Sequence, residues 1–494
     1  MREQKIRQEI NICKANENIM IVLLRMPCEQ SADAEGELHM PVSITYDAAN
    51  KLHVTGLECD CPCHHHLPAQ DIYVGKDLIR QIPKYIQARN LGTHCVLVAD
   101  NNTYEIAGRQ VERTLITAGF SVIPCVITRE HAMDPDEQAC GEVLLSIQPE
   151  TQFLISVGSG SITDTVRVNA THTKLPFVCV GTAPSMDGYT SVVAPLLLRG
   201  VKIHRAGVCP EIIVCDLDIL RTAPLSMVQS GVGDVLGKYI ARADWIIGSI
   251  INGESYCPVC GQIVLDAVNQ LMENVGEIRQ RTEKGIRILI EALLLAGVTI
   301  MIVGHTRAVA SAEHNIAHYW EMMQLKRGHH PPAHGTSVGV ATLLCWPLFL
   351  RFAKEDLSHL DTEKIKARRL SREDRIKWMH FAYGEEAANA IIKDNPGDFL
   401  TWEEQLQRIQ AAQKNLEKLR EVILSLPTME RIQNAMEELG SPLTPEAIDI
   451  DPPLLNVSMH CAKDYRTRYT LFKLIDECGL MDEYLKDYPM PDAF

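Results

Sequence analysis

The chain has 494 residues, 46% hydrophobic and 22% charged, with a formal net charge of −15 at pH 7. That length allows two or three domains with substantial cores, and the acidic balance excludes a general nucleic-acid binder while leaving room for an anionic substrate in a local basic pocket. The 16 cysteines are scattered without a small-domain framework, and the charged opening Met1-Arg2-Glu3-Gln4-Lys5 is no secretory signal, so a cytoplasmic protein with reduced thiols is expected.

In chain order, residues 1–54 read as an extension with strand candidates at 19–24 and 42–46, separated by the acidic loop 32–37. Next comes the densest ligand cluster of the chain, Cys59-Asp60-Cys61-Pro62-Cys63-His64-His65-His66. Its spacing is cramped for a zinc site, which ordinarily draws on two separated ligand pairs. Cys257 and Cys260 are one source of a second pair; partly exposed thiols with no metal are the other reading. From residue 94 the pattern becomes regular. Short apolar runs at 95–99, 121–127, 152–157 and 177–180 alternate with helical spacing over 102–118, 136–147 and from 162 onward, as in a parallel sheet with crossover helices. From Leu217 the strands stop, and 228–243, 256–274, 283–296, 310–323, 337–352, 402–425 and 464–487 read as helices. The apolar stretch 286–303 contains Arg287, Glu291 and Gly297, which fits a helix buried among others better than a membrane span. The expected fold is therefore an amino-terminal α/β nucleotide-binding domain with a Rossmann-like parallel sheet (55–216), followed by an all-helical metal- and substrate-binding domain (217–494). The active site is expected in the interdomain cleft.

Three contexts suggest one divalent-metal site. Asp234 lies in Ser230-Gly231-Val232-Gly233-Asp234, read as a turn opening a helix; His314 lies in Ser311-Ala312-Glu313-His314, and His334 on a following loop. Two imidazoles and a carboxylate leave a coordination position open, which is a catalytic arrangement. His318 shares a helix face with His314, whereas His329 and His330 sit in a Gly-His-His-Pro-Pro loop that looks exposed. The turn Gly158-Ser159-Gly160-Ser161, between strand and helix, suits a pyrophosphate. Asp100, ending an earlier strand, suits a ribose hydroxyl or a helix cap equally. Asp187 lies in a loop rich in hydrogen-bonding residues, where an ordinary Asp-Gly turn is the plainer reading.

Val157 to Ser161, Gly181-Thr182-Ala183-Pro184-Ser185-Met186-Asp187-Gly188-Tyr189-Thr190-Ser191, Gly231 to Asp234, Gly253 to Pro258, Ser311 to His314, His334-Gly335 and Tyr465 to Thr470 together resemble the glycerol-1-phosphate dehydrogenases, the bacterial ones most closely. Glycerol dehydrogenases, iron-type alcohol dehydrogenases and dehydroquinate synthases form the wider group. The resemblance implies NAD- or NADP-dependent interconversion of dihydroxyacetone phosphate and sn-glycerol 1-phosphate, with a divalent metal that is typically zinc, nickel being the alternative. It implies Asp234, His314 and His334 as ligands, with His318 beside them near the nicotinamide; a proton would then pass through water or His318. Asp187 would position the substrate, and Lys238 and Arg307 are candidates for its phosphate because each lies close in sequence to a ligand. The cofactor would be met by Asp100, Gly158, Ser159, Gly160, Ser161, Asp164, Thr182, Ser185 and Ser191. No nucleic acid or membrane span is expected, and a homodimer or higher homo-oligomer is. A sibling polyol dehydrogenase and a non-catalytic metal-binding protein are the alternatives.

Overall fold

A computed structural model describes residues 21–22, 43–57, 59–61, 63, 70–130, 133–198, 201–395, 397 and 399–490. His64 to His66 and most of the first 42 residues, including much of the 19–24 strand candidate, lie outside the described residues.

The amino-terminal strands β1 (Ile21–Val22), β2 (Ser43–Tyr46) and β3 (Leu52–Thr55) form an antiparallel sheet. A second sheet contains β4 (Asp71–Gly75), β5 (His94–Asp100), β6 (Ser121–Ile127), β7 (Phe153–Gly158), β8 (Phe177–Gly181) and β11 (Ile212–Asp216) in the order β4-β11-β8-β7-β5-β6. Every pairing in it is parallel. β4, β7, β8 and β11 are buried along their whole length, which is why these strands read as continuous apolar runs and not as alternating patterns. Between β8 and β11 an antiparallel hairpin, β9 (Val193–Leu198) and β10 (Val201–Ala206), stands apart from the main sheet.

The chain runs outward from β5 to β6, then returns across β5 to β7. The strand order thus reverses between β5 and β7, and the crevice at their carboxyl ends is where an open α/β sheet receives a ligand. Asp100 ends β5 and Gly158 ends β7. Connecting helices include α1 (Ile82–Ala88), α2 (Arg109–Thr117), α3 (Glu137–Ser146) and α4 (Gly160–Thr173).

Among the described residues no strand follows Asp216. The helices that build the site are α5 (Leu225–Leu236), α6 (Lys238–Asn252), α7 (Pro258–Met272), α8 (Glu283–Val303), α9 (Ala312–Lys326) and α10 (His334–Phe352). Four expectations need correction here. Asp234 lies inside α5 and not at a turn opening a helix. His334 is the first residue of α10 and not part of a loop. The single helix expected over 228–243 is two, joined at Gly237, and that expected over 402–425 is two, joined at Asn415.

α8 and α10 are long and apolar enough to cross a membrane by length and composition, but their most apolar windows are 83% and 72% buried within the fold. α8 instead forms a central post of the helical region. Tyr46 Oη on β2 donates to Glu291 on α8 at 2.6 Å, and the Arg287 guanidinium lies over the Tyr46 ring. The amino-terminal sheet is thereby tied to the helices.

Candidate metal and nucleotide site

Two backbone approaches bring the site together. A Cβ on Gly233 of α5 would lie 2.1 Å from the carbonyl oxygen of Gly335 on α10, and one on Gly335 would lie 1.9 Å from the carbonyl oxygen of Ser230. No side chain larger than hydrogen fits between these helices, and their contact carries Asp234 against the start of α10. The glycines flanking Asp234 therefore serve helix packing and not a turn.

The ligand atoms of Asp234, His314 and His334 all lie within 4.8 Å of one another. Asp234 is fully buried; its Oδ1 is 3.3 Å from His314 Nε2 and accepts from Lys238 Nζ at 2.7 Å. Its Oδ2 accepts from the Asp187 backbone N–H at 3.0 Å. Burial opposes the Asp234 charge, yet Lys238 and His314 outweigh it and hold the carboxyl well below the usual range.

Each histidine is aimed by a second carboxylate. His314 Nδ1 lies 2.7 Å from Glu313 Oε1, and His334 Nδ1 lies 2.7 Å from Glu321 Oε1. With Nδ1 engaged by an acid, the Nε2 lone pair is the one left for a cation, the pattern of histidine ligands in metal sites. This donor set fits a divalent ion with open positions. Burial lowers the proton affinity of His314, but its bonds to Asp234 and Glu313 reverse the sign and raise it. Glu321 is shared: its Oε2 lies 3.3 Å from His318 Nδ1 and also pairs with Lys202 from β10. The His318 ring stacks on His334 with centroids 5.0 Å apart, and burial pushes its pKa well below the ordinary value. His329 and His330 are exposed.

The nucleotide side of the cleft is built at the ends of β5 and β7. Ser159 caps α4, and a Cβ on Gly158 would lie 2.6 Å from Ile162. Gly160 and Ser161 form the first turn of α4, where backbone N–H groups suit a phosphate. The Thr182 N–H donates to the Gly158 carbonyl at 3.1 Å, closing the next loop over this turn. Ser185 accepts, through its carbonyl, from Ser230 Oγ on α5; Ser191 caps its own turn through Val193. Asp164 pairs with Arg167, whose Nη2 also donates to the carbonyls of Gly188 and Tyr189. Asp100 Oδ1 accepts from the N–H groups of Asn102 and Thr103 at 2.8 and 2.7 Å, so the helix-cap reading describes that oxygen.

The two cations expected at a substrate phosphate are both engaged by carboxylates. Lys238 is 2% exposed and bridges Asp187 and Asp234 at 2.7 Å each. Arg307 ties the carbonyls of Tyr469 and Asp244 together and pairs with Glu254. These two side chains meet different partners, and both have their charge answered by carboxylates.

A profile of iron-containing alcohol dehydrogenases matches residues 73–224. A glycerol-1-phosphate dehydrogenase (NAD(P)+) of Halalkalibacterium halodurans is 31% identical over 423 residues, covering 85% of this chain and 96% of that protein. The chain belongs to the glycerol-1-phosphate dehydrogenase family. Another glycerol-1-phosphate dehydrogenase, from Bacillus subtilis strain 168, is 37% identical over 292 residues, 59% of this chain and 74% of that protein. The glycerol dehydrogenase structure from Schizosaccharomyces pombe shares the fold, with a TM-score of 0.56 at 16% identity over 87% of this chain and 92% of its own.

In this glycerol-1-phosphate dehydrogenase family member several site residues escaped the sequence reading. Glu313 and Glu321 were legible in principle, one beside His314 and the other three residues after His318 on the same helix. Lys202 was not, because it arrives on a hairpin 119 residues away from Glu321. The Tyr465 to Thr470 run contributes Tyr465, whose ring lies 5.7 Å from His318, with the Arg466 guanidinium over it at 4.7 Å. Arg468 reaches back to the Ala310 carbonyl and Thr306 Oγ1. Burial, then the charges of Arg307 and Arg466, push its pKa down to about 9.

Proposed function

We propose that this chain interconverts dihydroxyacetone phosphate and sn-glycerol 1-phosphate with NADH or NADPH, using one divalent ion, zinc or nickel, held by Asp234, His314 and His334. The observation that carries it is the convergence of these three groups, both histidines aimed by carboxylates, beside the strand-order reversal that receives a dinucleotide. When bound, the ion supplies Lewis acidity toward the substrate oxygen and the nicotinamide supplies hydride. The nicotinamide dinucleotide runs along Asp100, Gly158 to Ser161, Asp164, Thr182, Ser185 and Ser191.

The chain's own residues do the positioning. Lys238 neutralises Asp187 and Asp234, which leaves Asp187 Oδ1 for a substrate hydroxyl. His318 is neutral at physiological pH. With Nδ1–H facing Glu321, its Nε2 takes the hydroxyl proton during oxidation and returns it during reduction, and Glu321 stabilises the charged ring in between. The substrate phosphate is met by Arg466 and Arg468, next to Tyr465 and His318, in place of Lys238 and Arg307. Cytoplasmic residence accords with buried thiols such as Cys95, Cys179 and Cys215 standing without disulfides.

The test compares NADH and NADPH oxidation with dihydroxyacetone phosphate and with dihydroxyacetone, in the wild type and in Arg466→Ala. A charge-assisted phosphate contact is worth about 1.5–3 kcal/mol, so the variant should lose about ten- to a hundredfold in kcat/KM for the phosphorylated ketone alone. Equal use of both ketones by the wild type would instead make this a polyol dehydrogenase.

A further inference from the structure

A cluster of sulfur atoms lies outside the site described above and shares no residue with it. Cys59, Cys61 and Cys63 fall in the connection between β3 and β4, at alternate positions. Cys257 is the residue that caps α7, and Cys260 follows one turn later in the same helix. The two segments are 198 residues apart in sequence, yet the sulfurs of Cys59, Cys61 and Cys257 all lie within 4.8 Å of one another.

The spacing is informative. Cys59 Sγ and Cys257 Sγ are 3.9 Å apart. A disulfide needs about 2.05 Å. Four thiolates around zinc at a bond length of about 2.3 Å stand about 3.8 Å from each other along each tetrahedral edge. The pair is therefore set for a shared ion and not for a covalent bridge.

The backbone treats two of the sulfurs as acceptors. The Cys61 N–H points at Cys59 Sγ at 3.4 Å, and the Cys260 N–H points at Cys257 Sγ at 3.3 Å. Such N–H···S contacts favour thiolate over thiol and orient a ligating sulfur. Cys257 and Cys260 are completely buried and stand in the Cys-x-x-Cys spacing of thiolate metal sites, at the positive end of the fifteen-residue helix α7. Cys59 and Cys61 close over them from a partly exposed segment. Two separated ligand pairs, one per segment, is the arrangement that structural zinc sites use.

We infer that Cys59, Cys61 and Cys257 form a second metal site for a soft divalent ion such as zinc, which pins the β3–β4 connection to the helical region. Each ligating thiol gives up its proton to solvent as the ion binds, with no change of oxidation state. Thiolate ligands drawn from two separated segments are the mark of a structural site. It places a second tie on the amino-terminal segment, beyond the Tyr46–Glu291 bond.

The full chain, prepared under reducing anaerobic conditions and loaded with cobalt(II), tests this. The Asp234 site has no sulfur ligand, so an intense sulfur-to-cobalt charge-transfer absorption reports the cysteine site alone. We expect two metal equivalents per chain in the wild type, and the charge-transfer band in both the wild type and Asp234→Ala. In the double variant Cys59→Ser, Cys61→Ser, we expect loss of the band and of one equivalent, with the cobalt at Asp234 and its d–d spectrum retained. The wild-type spectrum needs no variant to fold: one equivalent and no charge-transfer band would overturn the inference. So would a band that survives in the double variant. Neither outcome depends on turnover, so failure here is separate from failure of the proposed activity.

Discussion

Glu321 links both sides of the histidine cluster. It is 2% exposed at its side chain and faces His334, His318 and Lys202 together. Glu321→Gln keeps the shape and removes the charge, which loosens His334 Nδ1 and leaves Lys202 without an anion. Outer partners of this kind are worth about 10- to 100-fold in metal affinity or activity. We expect a chelator competition assay to show that loss, with turnover falling in parallel; unchanged metal retention would contradict the aiming role. Asp244 is a structural counterpart. It is fully buried and accepts from Ser311 Oγ at 2.6 Å and from the Leu471 N–H at 2.7 Å, joining α6 to the start of α9 and to the helix Leu471–Glu477. Burial raises its carboxyl to about 7, against about 3.9 in an unfolded chain. The folded state then holds a proton that the unfolded state has lost, so this contribution to stability is full below about pH 4 and is lost as pH rises through about 7. In urea titrations the stability of the wild type relative to Asp244→Asn should fall from about pH 4 to about pH 7; a rise over that window would contradict the shift. The convergence of Asp234, His314 and His334 was legible as residue types in contexts, because His and Asp beside Gly or Glu carry a chemical signature. Their orienting acids were harder to see, since a glutamate on a helix is more often a solvated one.

Elements were legible where the pattern was repetitive. The runs at 95–99, 121–127, 152–157 and 177–180 correspond to β5 to β8, within a residue or two at each end. β4 and β11, five residues each, were missed because so short a run carries no periodicity that separates a buried strand from a helix fragment or a loop, and the β9–β10 hairpin was missed as well. The glycines around Asp234 were misplaced for a different reason. A glycine in sequence signals a turn as readily as it signals close helix packing, and only the partner helix decides. Gly233→Ala tests that assignment, because its methyl would meet the Gly335 carbonyl. Forcing α5 and α10 apart should cost about 1–3 kcal/mol or more, read as a lower unfolding midpoint, and should weaken metal retention as Asp234 moves from His334. A variant as stable and as metal-loaded as the wild type would show that the helices can part without disturbing the site.

At the scale of the whole molecule, three distant stretches of chain meet at one cleft. The β5–β7 reversal opens a crevice, α5, α9 and α10 bring Asp234, His314 and His334 together, and the 465–470 segment lays Tyr465, with the Arg466 guanidinium over its ring, beside His318. All three stretches stood among the motifs along the chain, but the closeness of 465–470 to His318 appears only in the fold. Closeness in sequence to Asp234 and His314 pointed to Lys238 and Arg307; both carry carboxylate partners in the fold, which is why the proposed phosphate contacts are Arg466 and Arg468. The most direct single measurement is the reduction of dihydroxyacetone phosphate by metal-stripped enzyme reloaded with zinc or nickel, with chiral analysis of the product. The expected result is sn-glycerol 1-phosphate, formed only after reloading and not at all by Asp234→Ala. Undiminished turnover by the stripped enzyme, or by Asp234→Ala, would contradict the account, as would a product of the opposite hand.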